Sequence, residues 1–109
     1  MYWCYAIAVS KMQRSGILLR EVVRRLEEFA PLWLGEPWDN VGLLVETFQS
    51  ATQPVKEVLL TNDLTEDVAA EALEKGVQLI ISYHPPLFRP VKTITNDQWK
   101  VCIFAINKS

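Results

Sequence analysis

The sequence of 109 residues lacks most of the features by which familiar classes of enzyme are recognised. It has four glycines and no glycine-rich phosphate loop, and its single histidine has no serine or cysteine nucleophile beside it. A pair of histidines at ligand spacing is also missing, whereas a catalytic zinc usually has about three protein ligands. Any active centre must therefore be sought in the placement of single residues within the fold.

Charge, cysteine content and hydrophobic runs argue against nucleic-acid-binding, disulfide-stabilised and membrane-spanning proteins. Eleven basic and thirteen acidic residues give a net charge of −2, which offers no field for a phosphate backbone, so we expect no direct nucleic-acid partner. Cys4 and Cys102 lie near opposite ends of the chain, which fits reduced thiols in an intracellular protein. The apolar run over residues 1–9 is far too short to span a bilayer, so we expect no membrane partner.

The beginning of the chain differs in composition from the rest, and we interpret residues 1–17 as a variable N-terminal extension. Lys11, Arg14 and Arg20 come before any acidic residue. That composition is shared by organellar presequences and by plain extensions that fray. A plain extension is the commoner of the two, so we expect a cytoplasmic protein, with the mitochondrion and the nucleus as alternative locations.

An amphipathic helix is predicted over about residues 17–29. Half of all residues are apolar, so the chain can bury a core. The apolar residues of this segment recur at helical spacing, so they form one face of the helix and the charged residues lie on the other faces. The apolar residues are Leu18, Leu19, Val22, Val23, Leu26 and Phe29. Such a pattern is typical of a helix that packs on a sheet, and Pro31 ends it.

Residues 58–88 predict a strand, a helix and a second strand. Short apolar runs at about residues 58–62 and 77–82 indicate buried strands. Between them, apolar residues at helical spacing indicate a helix over about residues 64–75. Asp63 followed by Glu66 predicts an N-cap with its reciprocal partner, and Gly76 predicts the C-terminal stop. A crossover of this kind joins parallel strands. The predicted fold class is therefore α/β, with a partial doubly wound sheet.

Asp63 and His84 follow the two predicted strands, at the edge where ligands collect in open α/β sheets. Pro85 restricts His84 to an extended backbone, which presents the imidazole. His84 is either a metal ligand or acid/base, or a loop histidine hydrogen-bonded to a neighbour. Asp63 is either only a helix cap or a site residue beside His84. The turn at residues 38–43, WDNVGL, is either a ligand-contacting turn or a plain tight turn.

Three segments, taken in order, resemble one known family. They are WDNVGLLVE at residues 38–46, TNDLTEDVAAEALEKG at 61–76 and LIISYHPPLF at 79–88. Together they resemble the opening part of the Nif-three-like proteins, whose bacterial members are labelled type 2 homologues of GTP cyclohydrolase I. The resemblance covers about residues 18–99. It implies an α/β fold, assembly into dimers or toroidal hexamers, and a site for two divalent metals, with zinc, manganese, iron or cobalt as candidates.

The same resemblance implies a metal site that is incomplete in this chain. In that family, the strand that ends here at Ser82 is usually followed by two consecutive histidines that look like metal ligands, as in the bacterial pattern. His84 matches the second, whereas Tyr83 replaces the first, and a phenol with a pKa of about 10 is a poorer ligand than an imidazole. Asp63, which aligns with a family aspartate, is a second candidate to which no ligand role is carried over.

The resemblance also suggests where the chain sits in the family domain. Residues 18–109 are interpreted as the N-terminal portion of that domain, incomplete at the C-terminus, as in a truncated or alternatively spliced form. The pattern over residues 100–109 fits either a helix or an edge strand.

Two functions fit these expectations. The first is a non-catalytic interaction protein that forms homo-oligomers and engages transcription-regulatory proteins. The alternative is a divalent-metal-dependent hydrolase of a nucleotide-like substrate, in which His84 helps to hold an ion that lowers the pKa of bound water. The incomplete metal site favours the interaction protein over the hydrolase.

Overall fold

The structure is a computed structural model that describes residues 4–6, 16–46, 50, 52–90 and 92. Its strands are β1 (Cys4–Ala6), β2 (Ile17–Leu18), β3 (Gly42–Val45), β4 (Pro54–Val55), β5 (Val58–Thr61) and β6 (Leu79–Ser82). The helices are α1 (Leu19–Phe29) and α2 (Glu66–Lys75), and a short 3₁₀ helix covers Leu32–Leu34. The α/β class predicted from the sequence is confirmed.

Four strands form the main sheet, in the order β3-β1-β6-β5. Strands β5 and β6 are parallel, with Leu59 opposite Ile80, so the predicted parallel crossover through α2 is confirmed. Strand β1 runs parallel to β3 and antiparallel to β6. The amino end of β3 therefore lies at the same edge of the sheet as the carboxyl ends of β5 and β6.

Strand β1 lies within residues 1–17, the segment that the sequence suggests is an N-terminal extension. Cys4–Ala6 lies between β3 and β6 and pairs with both of them. Three residues are too short to show a strand periodicity by themselves. Their place in the sheet comes from partners far along the chain, which the local pattern does not reveal.

Helix α1 begins at Leu19, two residues later than the sequence predicts. Ile17 and Leu18 instead pair with Val55 and Pro54 in a two-stranded sheet. Gly16 permits this approach, because it has a φ of 141° and a Cβ there would lie 2.6 Å from the Val55 carbonyl oxygen. The local pairing thus shortens the predicted helix at its start.

Helix α2 begins differently from the prediction, because Thr65 and not Asp63 is its N-cap. The Thr65 hydroxyl oxygen accepts a hydrogen bond from the Val68 backbone N–H at 3.3 Å. Asp63 lies two residues earlier and outside the helix. The predicted stop is confirmed, since Gly76 has a left-handed conformation with a φ of 67°.

The core lies on both faces of β6. One buried cluster faces α2 and comprises Val45, Leu64, Ala69, Ala72, Val77 and Ile80. The other includes Leu79 and Ile81, with Val22, Val23 and Leu26 of α1 packed against it. Strand β6 starts at Leu79 and not at residue 77, because the buried Gln78 side chain accepts hydrogen bonds from the backbone N–H groups of Lys56 and Glu57. Burial on both sides holds the carboxyl end of β6 in place.

Of the helices that the structure describes, neither α1 nor α2 has the length and apolar character needed to cross a bilayer.

Candidate functional site

Asp63 and His84 meet at the carboxyl ends of β5 and β6. The Nδ1 atom of His84 lies 2.9 Å from the Oδ1 atom of Asp63. Both side chains are largely exposed, at 60% for His84 and 67% for Asp63. The structure therefore brings together the two residues that the sequence placed at this edge, and it favours the second interpretation of Asp63, as a neighbour of His84.

Backbone hydrogen bonds fix the segment that carries His84. The His84 N–H donates to the Asn62 carbonyl at 2.8 Å, and the Tyr83 N–H donates to the Thr61 carbonyl at 2.9 Å. The fully buried Ser82 hydroxyl lies 2.7 Å from the His84 carbonyl oxygen, to which it donates. The turn after β6 is thus tied to the turn after β5, which fixes His84 opposite Asp63.

The pair has a defined chemistry when the imidazole is neutral. An ionised carboxylate can only accept a hydrogen bond, so the proton of the neutral imidazole lies on Nδ1, and this N–H donates a hydrogen bond to Asp63 Oδ1. The lone pair of the ring is then on Nε2. Among the described residues, Nε2 of His84 has no hydrogen-bond partner. An imidazole held in this tautomer by a carboxylate is suited to bind a metal or to accept a proton through Nε2.

An open cavity of about 430 Å³ adjoins this pair. The described residues that line it are Trp38, Asp39, Tyr83, His84, Pro85 and Phe88. We call it the aromatic pocket. The Tyr83 and His84 rings meet edge to face, with centroids 4.9 Å apart. The pocket therefore joins the predicted site residue to three aromatic side chains.

The turn before β3 supplies one wall of the aromatic pocket. Because Gly42 and Ser82 both pair with Cys4, the residues before β3 face those after β6. The Asn40 side-chain amide donates to the Leu87 carbonyl, and the Asn40 N–H donates to the Asp39 carboxylate at 2.8 Å. This turn, which the sequence left open between two interpretations, lines a cavity through Trp38 and Asp39.

Sequence reasoning missed the aromatic lining. It did not assign Phe88 any role, and it considered the two turns separately. A signal was present, since both segments place aromatic residues next to the ends of predicted strands. The order of the strands, which depends on β1, was needed to bring these segments together.

The described residues do not fit a complete metal centre. No group of three or more histidine, cysteine, aspartate or glutamate side chains that could hold a metal ion occurs within the described ranges. His84 offers one imidazole nitrogen, and Asp63 already holds the other nitrogen of the same ring. A protein site for zinc needs about three or four ligands, so the pair is at most part of one.

A family model supports the resemblance seen in the sequence. The model of Duf34/NIF3 (NGG1p interacting factor 3) matches residues 17–108. The chain belongs to this family. The NIF3-like protein 1 of Drosophila melanogaster is 54% identical over 91 residues, which are 84% of this chain and 30% of that protein. The human NIF3-like protein 1 is 49% identical over 84% of this chain and 24% of its own length.

Bacterial relatives and solved structures agree with this family membership. A Bacillus subtilis protein named GTP cyclohydrolase 1 type 2 homolog is 39% identical over 72% of this chain and 20% of its own length. A crystal structure of a Staphylococcus aureus hypothetical protein matches with a TM-score of 0.73 and 30% identity, covering 86% of this chain and 30% of that one. A Bacillus cereus protein related to NIF3 matches with a TM-score of 0.70 and 30% identity, over 91% of this chain and 25% of that one. The chain thus spans a third or less of the length of these relatives.

Proposed function

We propose that this chain is an interaction module of the NIF3 family, which associates with a second copy of itself and with transcription-regulatory proteins. An exposed apolar edge of the sheet carries the proposal. Within the described residues, β5 pairs with β6 alone, and the Leu60 side chain on that edge is 66% exposed. Exposed edge strands with apolar side chains are ready templates for pairing with another chain.

The two faces of β5 differ in what they contact. Alternate residues of a strand point to the same face, so Val58 and Leu60 point away from Leu59. Leu59 packs against the cluster on the α2 side of the sheet. Leu60 pairs with Ile81, which belongs to the cluster under α1. The exposed side chains therefore extend the apolar surface beneath α1 to the edge of the sheet.

A second copy fits this edge by symmetry. Two copies related by a two-fold axis would place their β5 strands antiparallel and continue the sheet through both chains. Each Leu60 would then lose its contact with water, and main-chain groups on the open side of β5 would gain partners. The proposal commits to this self-pairing as the primary interaction.

Membership in the family supports the second kind of partner. The family description contains the words NGG1p interacting factor 3, which refer to an interaction with another protein. We extend that property to this chain as a proposal, with the cytoplasm as its main location and the mitochondrion and nucleus as alternatives.

The His84–Asp63 pair favours one second candidate, a divalent-metal-dependent hydrolase. Its support is the imidazole tautomer described above, together with the bacterial relatives named GTP cyclohydrolase 1 type 2 homolog. Tyr83 stands at the position where the resemblance implies the first of two histidines, beside His84. We propose that the site is degenerate, so that zinc, manganese, iron or cobalt binds no more tightly than to an isolated surface histidine.

The association is tested with a charged substitution on the β5 edge. Leu60→Lys should weaken self-association by about tenfold or more, because it places a charge in the buried part of the proposed interface. Ala70→Lys is the matched control, since it adds the same charge at an exposed position of α2. Light scattering across a concentration series gives the mass of each variant. A constant monomer mass for the unsubstituted chain, or equal weakening by both variants, would contradict the proposal.

A further inference from the structure

The aromatic pocket has a composition that the proposed interaction does not use. Its aromatic residues are exposed to solvent: Trp38 is 69% exposed, Phe88 50% and Tyr83 43%. Among the residues that the structure describes, no lysine or arginine lines it, whereas the Asp39 carboxylate does. From this composition we infer that the aromatic pocket binds a methylated ammonium group, the head of an organic cation.

The charge of the wall selects the sign of the ligand. Asp39 accepts one hydrogen bond from its own turn, through Oδ1. In the described part of the chain, no basic side chain forms an ion pair with Asp39. A phosphate or a carboxylate would meet an unanswered negative charge there, so the wall disfavours anionic ligands. A cation instead compensates the Asp39 charge.

The rings select the kind of cation. The face of an aromatic ring carries negative charge and attracts a cation placed over it, most strongly for tryptophan. A compact ammonium ion is strongly hydrated, and its water is costly to remove. Methyl groups spread the charge over an apolar surface, which can contact Trp38, Tyr83 and Phe88 directly. Aromatic cages of this composition recognise quaternary ammonium ligands in other proteins.

The walls of the aromatic pocket are held together before a ligand arrives. The Asn40 side chain ties the turn that carries Trp38 and Asp39 to the Leu87 carbonyl. The His84 N–H is bonded to Asn62, and consecutive prolines at 85 and 86 restrict the backbone between His84 and Phe88. A pocket of restricted backbone loses less conformational entropy on binding.

Two sources could supply the same chemical group. One is a free small molecule such as choline, and the other is a trimethylated lysine side chain on a peptide. The cavity of about 430 Å³ is open, so it admits a head group that continues into a longer stem. The shared chemistry is the trimethylammonium head, and the experiment separates the sources.

The test titrates the full chain with choline and with its neutral carbon isostere, dimethylbutanol, followed by NMR at the assigned Trp38 indole N–H. Because the two ligands have the same shape, only the charge distinguishes them. We expect choline to bind about tenfold more tightly than the isostere. Trp38→Ala should weaken choline binding by about fivefold or more, and Asp39→Asn by about threefold. Equal affinity of choline and the isostere would overturn the inference.

Trp33→Ala provides the matched control. Trp33 is 80% exposed but lies on the 3₁₀ helix and does not line the pocket, so its loss should leave choline binding unchanged. If Trp33→Ala weakens choline as much as Trp38→Ala does, binding is not at the pocket and the inference fails. Peptides with trimethyl-lysine and with plain lysine identify the source: a preference for the methylated peptide over choline indicates a protein ligand, and a preference for choline indicates a small molecule. Guanosine serves as a neutral ligand of a different class. If guanosine binds to the pocket and neither choline nor the trimethyl-lysine peptide does, the inference is also overturned.

Discussion

The crossover unit from β5 through α2 to β6 and the aromatic pocket at its end are built in opposite ways. In the crossover unit, the side chains of β6 and of the inner face of α2 are buried, the helix is capped at both ends, and β6 is covered on both faces. In the pocket, the rings of Trp38 and Phe88 are exposed, and the walls are held by hydrogen bonds between two turns. The comparison teaches that packing builds the scaffold, whereas the residues with binding chemistry lie where the packing ends.

The largest expected effect is the difference in stability between a substitution in the core of the sheet and one at its edge. Ile80 is 2% exposed and packs against α2, so Ile80→Ala should lower the free energy of unfolding by about 2–5 kcal/mol. Leu60→Ala, on the neighbouring strand, should change the stability of the monomer by less than about 0.5 kcal/mol. Urea denaturation at a low protein concentration measures both. If both variants lower the free energy of unfolding by similar amounts, the β5 edge is buried in solution, and the contrast between core and edge is wrong.

A smaller difference in stability is expected between substitution of the helix cap, Thr65, and substitution of the site residue, Asp63. Thr65→Ala should cost about 1 kcal/mol, because it removes the oxygen that accepts from Val68. Asp63→Ala should cost less, since the Asp63 side chain does not cap α2 and forms an exposed pair with His84. Thermal melts of the two variants give the order. If Asp63→Ala is the more destabilising, then Asp63 caps the helix after all.

The smallest effect concerns the charged surface of α1. Hydrogen bonds from Arg24 and then Arg25 lower the pKa of Glu21 from 4.5 to about 2. Because the folded-state pKa lies below the ordinary value, the Glu21 contribution to stability is present above pH 4.5 and is lost as the pH falls towards about 2.

The measurement compares melts of the unsubstituted chain and Glu21→Gln over that range of pH. Their difference should be small, because the pair is exposed, and it should shrink in acid and in high salt. A difference that does not depend on pH would show that the Glu21 charge is not involved.

The sequence predicted the crossover unit well, because helical and strand periodicity, Gly76 and the parallel connection are local features. It erred on the cap, since Asp63 and Thr65 both precede the helix and only the fold shows that Asp63 is bound to His84. It also placed Asp63 and His84 at one edge, which needed only the topology of the unit.

The remaining features depended on long-range pairing. Strand β1 has three residues and no periodicity, yet it determines the strand order that brings Trp38 to His84. The apolar residues at 101–106, for which the sequence left a helix or a strand open, lie outside the described residues. The metal expectation at His84 stays a prediction, as does the oligomer.

The central claim is that this chain associates through its sheet edge and does not hold a tight metal site. One gel-filtration run on the unsubstituted chain loaded with Zn²⁺ tests both parts, if light scattering and metal content are recorded on the same peak. The account predicts a mass above that of the monomer, with far less than one zinc ion per chain. A monomeric peak that retains stoichiometric zinc, and loses it on His84→Ala, would contradict the account and support the hydrolase.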